Sequence, residues 1–211
     1  METSEKIAAV LLAAGRSRRM GAFKPLLPFG GGSVVRACVE SLREAGAREV
    51  VVVVGQRADE VRAALACEER VRFAFNDEPE SEMGVSVARG LEALGEEFGA
   101  ALVALVDQPA VPSAAIRDLI EARRRTGARL VVPEWQGRGG HPVLVDLSLR
   151  EEILRVAPRG GLRAIFDAHR EEVLRVPAAS PFVARDMDTW DEYVALHTEV
   201  FGFPPPARSL T

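Results

Sequence analysis

Three short runs of uninterrupted apolar residues restrict this sequence to a narrow set of folds. They are Ile7–Leu12, a valine run within residues 49–55, and residues 100–106. A strand with one face in water alternates apolar and polar residues, whereas a strand covered on both faces is apolar throughout. Segments with the apolar spacing of helices lie between the runs. This alternation predicts a mostly parallel central sheet with helices on both faces.

The loop after the first run combines small residues with basic ones. Gly15 and Gly21 allow backbone N–H groups to approach an anion closely, and Arg16, Arg19 and Lys24 supply the countercharge that a triphosphate requires. The spacing fits neither the P-loop pattern G-x-x-x-x-G-K-S/T nor the dinucleotide pattern G-x-G-x-x-G. A solvent-exposed basic turn is the alternative for a loop of this composition. The ordered spacing favours a phosphate-binding loop.

Residues 12–24 closely resemble the signature loop of a known enzyme family. They read LAAGRSRRMGAFK, and L-A-A-G-x-S-x-R-M-G-x-x-K is typical of the nucleotidyltransferases that attach a nucleoside monophosphate to molybdopterin. The resemblance implies a single three-layer, Rossmann-like α/β domain of the GT-A-like type. It makes Arg19, Lys24 and Asp107 the catalytic candidates. The loop positions that it assigns to nucleotide binding are Leu12, Ala13, Ala14, Gly15, Arg16, Ser17, Arg19, Gly21 and Lys24.

A carboxylate follows the third apolar run, in the turn Asp107-Gln108-Pro109. Open α/β sheets bind their ligands at the carboxyl ends of the strands, which is also the edge where the phosphate-binding loop is expected. An ordinary turn or cap is the alternative for an isolated aspartate in this position. The resembled family has a metal-binding aspartate in a similar Asp-x-Pro turn. The resemblance therefore implies a Mg²⁺ ligand at Asp107.

A second acidic cluster precedes the predicted last helix, within residues 185–193. In the family, a D-I-D-T-P-E-D type of stretch supplies the second carboxylate that faces the metal, although Met187 and Trp190 depart from that pattern. The resemblance favours Asp188 as the second Mg²⁺ ligand, with Asp186 as the second choice. Thr189 is instead interpreted as a helix cap.

Two further stretches resemble binding elements of the family. Asn76 and Ser86, with Gly55 before them, are candidates for nucleotide contacts, and the alternative is a capped loop followed by a serine on a helix surface. The triplet Gly140-His141-Pro142 resembles the element beside the acceptor in molybdopterin cytidylyl- and guanylyltransferases. An ordinary turn is the alternative for a histidine in a loop rich in Gly and Pro.

Composition excludes several classes of function. A formal net charge of −4 argues against general affinity for nucleic acid or an anionic membrane. The absence of a long apolar run or secretion signal favours a cytoplasmic protein. The two cysteines lack C-x-x-C spacing, so neither a disulfide scaffold nor a zinc site is expected. The expected organisation is a nucleotidyltransferase domain over residues 1–202 and a Pro-rich tail over residues 203–211.

The resemblance implies that the protein transfers CMP from CTP to the phosphate of molybdopterin and releases pyrophosphate. CTP is favoured over GTP because the guanylyl branch typically carries Gly-Gly where this chain has Ala13-Ala14, whose methyl groups would narrow a base site. A sugar or polyol phosphate as acceptor is an alternative. Another is a nucleotide-binding accessory protein without catalysis, which would deliver cofactor to a molybdoenzyme. A molybdoenzyme or its maturation chaperone is the macromolecular partner that the resemblance suggests.

Overall fold

A computed structural model describes residues 5–15, 17, 19–78 and 81–207 of the chain. Its strands are β1 (Ile7–Leu12), β2 (Pro28–Phe29), β3 (Gly32–Ser33), β4 (Val50–Val54), β5 (Val71–Phe75), β6 (Ala100–Leu105), β7 (Leu130–Trp135), β8 (Arg138–Gly139), β9 (Val143–Asp146) and β10 (Val173–Pro177). Its α-helices are α1 (Val34–Glu44), α2 (Ala58–Ala64), α3 (Met83–Glu92), α4 (Ser113–Thr126), α5 (Arg150–Ala168) and α6 (Trp190–Phe201). Short 3₁₀ helices span Lys24–Leu26, Leu147–Leu149, Arg170–Glu172 and Pro181–Ala184.

The main sheet has the strand order β10-β7-β9-β6-β1-β4-β5, with β8 paired to β7. Strand β1 lies parallel to both β4 and β6, β4 lies parallel to β5, and β10 lies parallel to β7. Only β9, among these described strands, runs antiparallel to both of its neighbours, β6 and β7. The predicted single α/β domain with a mostly parallel sheet is therefore confirmed.

Helices cover both faces of the central strands. Every residue of β1 and β4 is buried, as their unbroken apolar composition predicts. Ala9 and Leu11 belong to a core shared with α1, α4 and α6, whereas Ala8 and Val10 belong to one shared with α3 and α5. This division gives the three predicted layers.

Helix α3 lies very close to its neighbours because glycines face them. A Cβ atom added to Gly90 would overlap the side chain of Val10 in β1, and one added to Gly84 would overlap the carbonyl group of Ala157 in α5. Helix α5 bends next to this contact at Gly161, whose φ of 64° departs from helical geometry. Close packing against α5 and β1 thus holds α3 in place, and the start of α3 borders the functional site described below.

Helix α6 is tied to the region that follows the first loop. Its start has a capping box formed by Thr189 and Glu192, which confirms the cap interpretation of Thr189. The buried hydroxyl of Tyr193 donates a 2.6 Å hydrogen bond to the carbonyl oxygen of Pro28 in β2, and burial raises the Tyr193 pKa to about 12. His197 lies among aromatic rings that include Phe29. None of the helices in the described ranges combines the length and apolar character needed to cross a membrane.

Candidate active site

The carboxyl ends of four parallel strands surround one cleft. Leu12 ends β1, Gly55 directly follows β4, Asn76 directly follows β5, and Asp107 lies two positions after the end of β6. The cleft has a volume of about 690 Å³, within the usual range for small-molecule sites. Nine residues predicted from sequence border it: Leu12, Ala14, Gly15, Ser17, Lys24, Gly55, Asn76, Ser86 and Asp107. Bordering residues that sequence analysis missed are Gln56, Asp77, Glu78, Ser81, Met83, Leu105 and Val106.

Ser17 organises the loop between β1 and the first 3₁₀ helix. It has a left-handed φ of 50°, and its carbonyl oxygen accepts hydrogen bonds from the N–H groups of Met20 and Gly21. Its hydroxyl accepts a 3.1 Å hydrogen bond from the backbone N–H of Lys24. Buried Met20 fixes the loop to the core. These contacts bring Lys24 back over the strand ends, whereas Arg16 lies outside the described residues.

Lys24 joins the two acidic segments that were predicted to face a metal. Its side chain is only 9% exposed, and its Nζ lies 2.7 Å from Oδ1 of Asp188 and 3.6 Å from Oδ2 of Asp107. The exposed Arg19 contacts the other oxygen of Asp188 at 2.8 Å. Arg19 therefore reaches Asp188 without bordering the cleft. The three predicted catalytic side chains and Asp188 form one cluster of alternating charge.

The two carboxylates differ in their protonation behaviour. Burial raises the pKa of Asp107, and the nearby Asp186 and Asp188 add to this effect while Lys24 opposes it. The hydrogen bond from Lys24 lowers the pKa of Asp188, and Arg19 acts in the same direction. Oδ1 of Asp107 is buried and has no hydrogen-bond partner in the described part of the chain. This oxygen remains available to a ligand.

Asp186 points to a different partner. It is exposed, and its Oδ1 accepts a 2.7 Å hydrogen bond from Nε2 of Gln108. Gln108 is only 6% exposed and was missed as a functional candidate, although its place next to Asp107 in the strand-end turn was a signal. Asp188, and not Asp186, shares Lys24 with Asp107.

The Gly140-His141-Pro142 triplet lies outside the cleft lining, on the Asp186 side. The N–H of His141 donates to the carbonyl oxygen of Val183, and a Cβ atom on Gly140 would overlap that same carbonyl group. The His141–Pro142 peptide bond is cis. Burial lowers the His141 pKa, and the nearby Asp186 opposes this effect. His141 is therefore neutral at neutral pH and close to an acidic side chain.

Two predicted nucleotide contacts, Ala13 and Gly21, have positions that differ from the expectation. Ala13 is 1% exposed within the core and its N–H donates to Val53, so its methyl group does not narrow a base site. The prediction based on that methyl group was wrong, because the backbone of Ala13 continues the pairing of β1 with β4 and its side chain joins the core that contains Ala9 and Leu11. Only Ala14 borders the cleft. Gly21 adopts a left-handed φ of 63° and borders the outer side of the loop, beside Phe23.

Asn76 and Ser86 form an internal brace at the cleft. Nδ2 of Asn76 donates to the hydroxyl oxygens of Ser81 and Ser86 at 2.9 and 2.8 Å. Ser86 is buried, so it is not the helix-surface serine of the alternative interpretation. The oxygen of Asn76 accepts from the N–H of Glu78 at 3.1 Å. Both residues line the cleft together with Gly15 and Lys24 of the loop that follows β1.

The described residues contain no group of three or more His, Cys, Asp or Glu side chains that could hold a metal ion by themselves. A site with two carboxylates fits a cation that shares its ligands with a bound phosphate, as Mg²⁺ commonly does. The unpaired Oδ1 of Asp107 and the adjacent Asp188 have the oxygen chemistry that such a cation prefers. The residues present therefore fit a divalent cation only together with a phosphate ligand.

A loop of small and basic residues above paired aspartates, at the carboxyl edge of this α/β sheet, defines the class of the nucleotidyltransferases. The model of the MobA-like NTP transferase domain matches residues 9–173, and the chain belongs to that family. The match includes Lys24, Asp107 and His141 but ends before Asp188.

Two relatives illustrate the breadth of similarity in sequence. The chain is 30% identical to nicotine blue oxidoreductase of Paenarthrobacter nicotinovorans over 90% of this chain and 96% of that protein. It is 37% identical to the bifunctional protein GlmU of Geobacter metallireducens over 60% of this chain. That second match spans only 27% of GlmU, so the chain corresponds to a minor part of that protein.

Solved structures extend the similarity to nearly the whole chain. Rv0371c of Mycobacterium tuberculosis has a TM-score of 0.80 and 27% identity, covering 92% of this chain and 99% of its own. A manganese complex of the same protein has a TM-score of 0.72, with 27% identity over 92% of this chain and 98% of that one. A nucleotidyl transferase of Methanothermobacter thermautotroptrophicus has a TM-score of 0.78 and 28% identity, covering 92% and 97% of the two chains.

Proposed function

We propose that this nucleotidyltransferase transfers CMP from CTP to the phosphate of molybdopterin and releases pyrophosphate. The observation that carries the proposal is the contact of Lys24 with both Asp107 and Asp188 beside a cleft of nucleotide size. A cation with two carboxylates at a strand edge can bind and neutralise a triphosphate while an acceptor approaches. The choice of acceptor is supported by membership of the MobA-like family and by the resemblance of residues 12–24 to the loop of enzymes that act on molybdopterin.

Lys24 and Arg19 bind the triphosphate in this mechanism. Both already end at Asp188 in the cluster, so a modest reorientation of each side chain brings positive charge to the phosphates. Gly15 has open space around its Cα, which allows the backbone to approach an α-phosphate. Because attack at phosphorus requires little covalent participation by the protein, positioning and charge neutralisation supply most of the rate enhancement.

Asp107 and Asp188 would hold a divalent cation, Mg²⁺ in our proposal, which when bound neutralises phosphate charge and orients the reacting groups. The manganese complex of the related mycobacterial protein supports a divalent cation in this kind of enzyme. The unpaired oxygen of Asp107 supports the same assignment.

His141 and Asp186 are proposed to face the acceptor. Neither of them lines the cleft that Asn76 and Ser86 border. They lie near each other, since Asp186 opposes the lowering of the His141 pKa by burial. A neutral imidazole accepts or donates a hydrogen bond without adding a charge, which suits a pterin ring. Gln108 holds Asp186 at 2.7 Å, and it is therefore a positioning residue for this half of the site.

Ala14 is the remaining sequence feature that favours CTP over GTP. Its methyl group lies at the cleft, near Gly55, where it leaves less space for a purine. A methyl-sized difference changes specificity by about 10- to 200-fold. GTP is therefore a slower substrate in this proposal, and a guanylyltransferase is the first alternative.

A sugar or polyol phosphate as acceptor is a second alternative within the same nucleotidyltransferase family. An oxidoreductase is favoured by the similarity to nicotine blue oxidoreductase along almost the entire chain. The alternating charges of Lys24, Asp107 and Asp188 support phosphoryl chemistry over either a redox role or a binding protein without catalysis, because neither of those requires paired carboxylates around a cation.

The decisive experiment follows pyrophosphate release from each of the four ribonucleoside triphosphates with Mg²⁺. Molybdopterin, a sugar phosphate, a polyol phosphate or no acceptor is added in parallel. The proposal expects release with CTP only when molybdopterin is present, and a CMP adduct of molybdopterin by mass spectrometry. Oxidation of NADH or NADPH without pyrophosphate release would support the oxidoreductase alternative. Nucleotide binding with no turnover for any acceptor would support the accessory protein.

A further inference from the structure

The ammonium group of Lys24 lies between the two carboxylates proposed to hold the cation. It is 2.7 Å from Oδ1 of Asp188 and 3.6 Å from Oδ2 of Asp107, and the Lys24 side chain is only 9% exposed. A cation that bridges two carboxylates occupies the space that a metal ion between them would need. The ammonium group and a metal ion therefore cannot both lie between the two carboxylates at the same time.

The residue type at this position suits that role. The chain has only two lysines, Lys6 and Lys24, among its 27 Lys and Arg residues. An ammonium group is a compact point charge with rotatable donors, whereas a guanidinium group is a wide planar fork. The position between Asp107 and Asp188 thus has the smaller of the two basic groups in a chain that otherwise uses arginine.

Two basic side chains offset the charges of the pair. Lys24 and Arg19 supply two positive charges to Asp107 and Asp188, although the nearby Asp186 adds one negative charge. A free divalent cation therefore meets less attraction than two unpaired carboxylates would give. It also finds too few protein ligands there, because no third acidic, Cys or His side chain of the described chain completes a metal-binding group. A nucleoside triphosphate changes both conditions, since its oxygens can bind Lys24 and can also complete the coordination of the cation.

We propose that Lys24 occupies the cation position in the nucleotide-free protein and moves to the triphosphate when nucleotide binds, so that metal and nucleotide bind together. This inference rests on the proposed nucleotidyl transfer at the same site. The coupling is reciprocal by linkage, so the divalent cation tightens nucleotide binding by the same factor. The protein then avoids holding a metal ion in an empty site.

The test measures Mn²⁺ binding to metal-free protein by electron paramagnetic resonance of the free ion. The probe nucleotide is the non-hydrolysable α,β-methylene analogue of CTP, and its own Mn²⁺ binding is measured without protein. The wild-type protein should bind Mn²⁺ weakly in the absence of nucleotide. With the analogue present, its Mn²⁺ affinity should be at least about tenfold higher, which is within the usual range of coupling between sites.

Lys24→Met distinguishes a lysine that competes with the metal ion from a lysine that only binds phosphate. Without nucleotide, this variant should bind Mn²⁺ about tenfold more tightly than wild type, because the competing cation has been removed. Lys24→Gln provides a second neutral variant in case Met disturbs the fold. Lys24→Arg keeps the charge and should retain weak binding. Lys6→Met removes the other lysine, which is exposed near the opposite end of β1, and should behave as wild type.

Adding Asp107→Asn to Lys24→Met should abolish the gained Mn²⁺ binding. Neutral variants that bind Mn²⁺ no more tightly than wild type would overturn the inference, as would a gain that survives Asp107→Asn. No acceptor is present, so these results do not depend on whether molybdopterin is the substrate. Conversely, CMP transfer by a wild-type protein that binds Mn²⁺ equally with and without the analogue would overturn this inference and leave the proposed function intact.

Discussion

The backbone N–H of Met187 donates a 3.0 Å hydrogen bond to the carbonyl oxygen of Asp107. This bond joins the turn after β6 to the segment before α6, which places Asp188 beside the same lysine that contacts Asp107. A main-chain bond between two acidic segments fixes their separation without using either carboxylate. Both carboxylates can therefore interact with Lys24 instead.

Asp107→Asn should reduce transfer activity by about 10²- to 10³-fold, as expected for loss of one charged group that stabilises a transition state. Its stability at pH 7 should not fall. Burial raises the Asp107 pKa, so the folded state favours the protonated form and stability decreases as pH rises through the interval above the ordinary value of 3.8. The neutral asparagine of Asp107→Asn has no such pH-dependent loss of stability. Steady-state kinetics and thermal unfolding check both parts.

Asp118→Asn, on the exposed face of α4, is the matched control for removal of one carboxylate. It should retain both activity and stability. Full activity of Asp107→Asn at saturating Mg²⁺ would exclude Asp107 as a ligand.

Ala14→Gly should raise the specificity constant for GTP relative to that for CTP by about tenfold or more, because removal of one methyl group enlarges the base site. Ala13→Gly is the matched control. It should leave the ratio unchanged and lower stability by about 0.5–1 kcal/mol, since Ala13 is 1% exposed in the core. Specificity constants and chemical denaturation measure the two effects. A ratio that responds equally to both substitutions would contradict the assignment of Ala14 to the base site.

Two histidines should titrate on opposite sides of the ordinary value of 6.5. Burial lowers the pKa of His141, whereas hydrogen bonds to Glu172 and Glu152 raise that of His169. Since the folded-state pKa of His169 is raised, its stabilising charge is fully present below pH 6.5 and is lost as pH rises through the folded value. His169→Gln should lower the melting temperature at pH 5.5 more than at pH 9. Nuclear magnetic resonance titration of the imidazole signals measures each pKa, and coincident titrations would refute the prediction.

Gly84→Ala should destabilise the protein by about 1–3 kcal/mol through overpacking, because the new Cβ would overlap the carbonyl group of Ala157. Backbone atoms cannot rotate away as a flexible side chain would. Gly31→Ala is the control, since no atom lies within 4 Å of a Cβ placed there. Denaturant unfolding of both variants should show a loss of stability for Gly84→Ala only.

The layered fold and the strand-end position of Asp107 could be predicted because both depend on local patterns. Unbroken apolar runs identify the buried strands, and an aspartate after such a run must lie at the carboxyl edge. The antiparallel strand Val143–Asp146 was not predicted, since its apolar part is only three residues long and follows a Gly-rich loop. Its pairing partners, β6 and β7, lie in other parts of the chain.

The side-chain arrangement of the site was less accessible to sequence analysis. The buried position of Ala13 depends on the direction of one residue after a strand, which the loop pattern does not specify. Gln108 became visible only through its hydrogen bond to Asp186, 78 residues away. The contact between Lys24 and Asp188 likewise depends on folding of distant segments. Sequence patterns identified Lys24 and Asp188 as candidates, but their pairing required the tertiary structure.

The hydrogen bond from Tyr193 to Pro28 joins the last helix of the chain to a segment that is synthesised much earlier. Lys24 and Asp188 are separated by 164 positions in the sequence. The hydrogen bond of Tyr193 holds α6 against the β2–β3 hairpin that follows Lys24. A chain emerging from the ribosome can form β1, β4, β5 and β6, and with them the cleft, before α6 exists. Asp188 is synthesised after all four of these strands. In the proposed mechanism, nucleotidyl transfer therefore requires the docking of α6, which the hydrogen bond between Tyr193 and Pro28 stabilises.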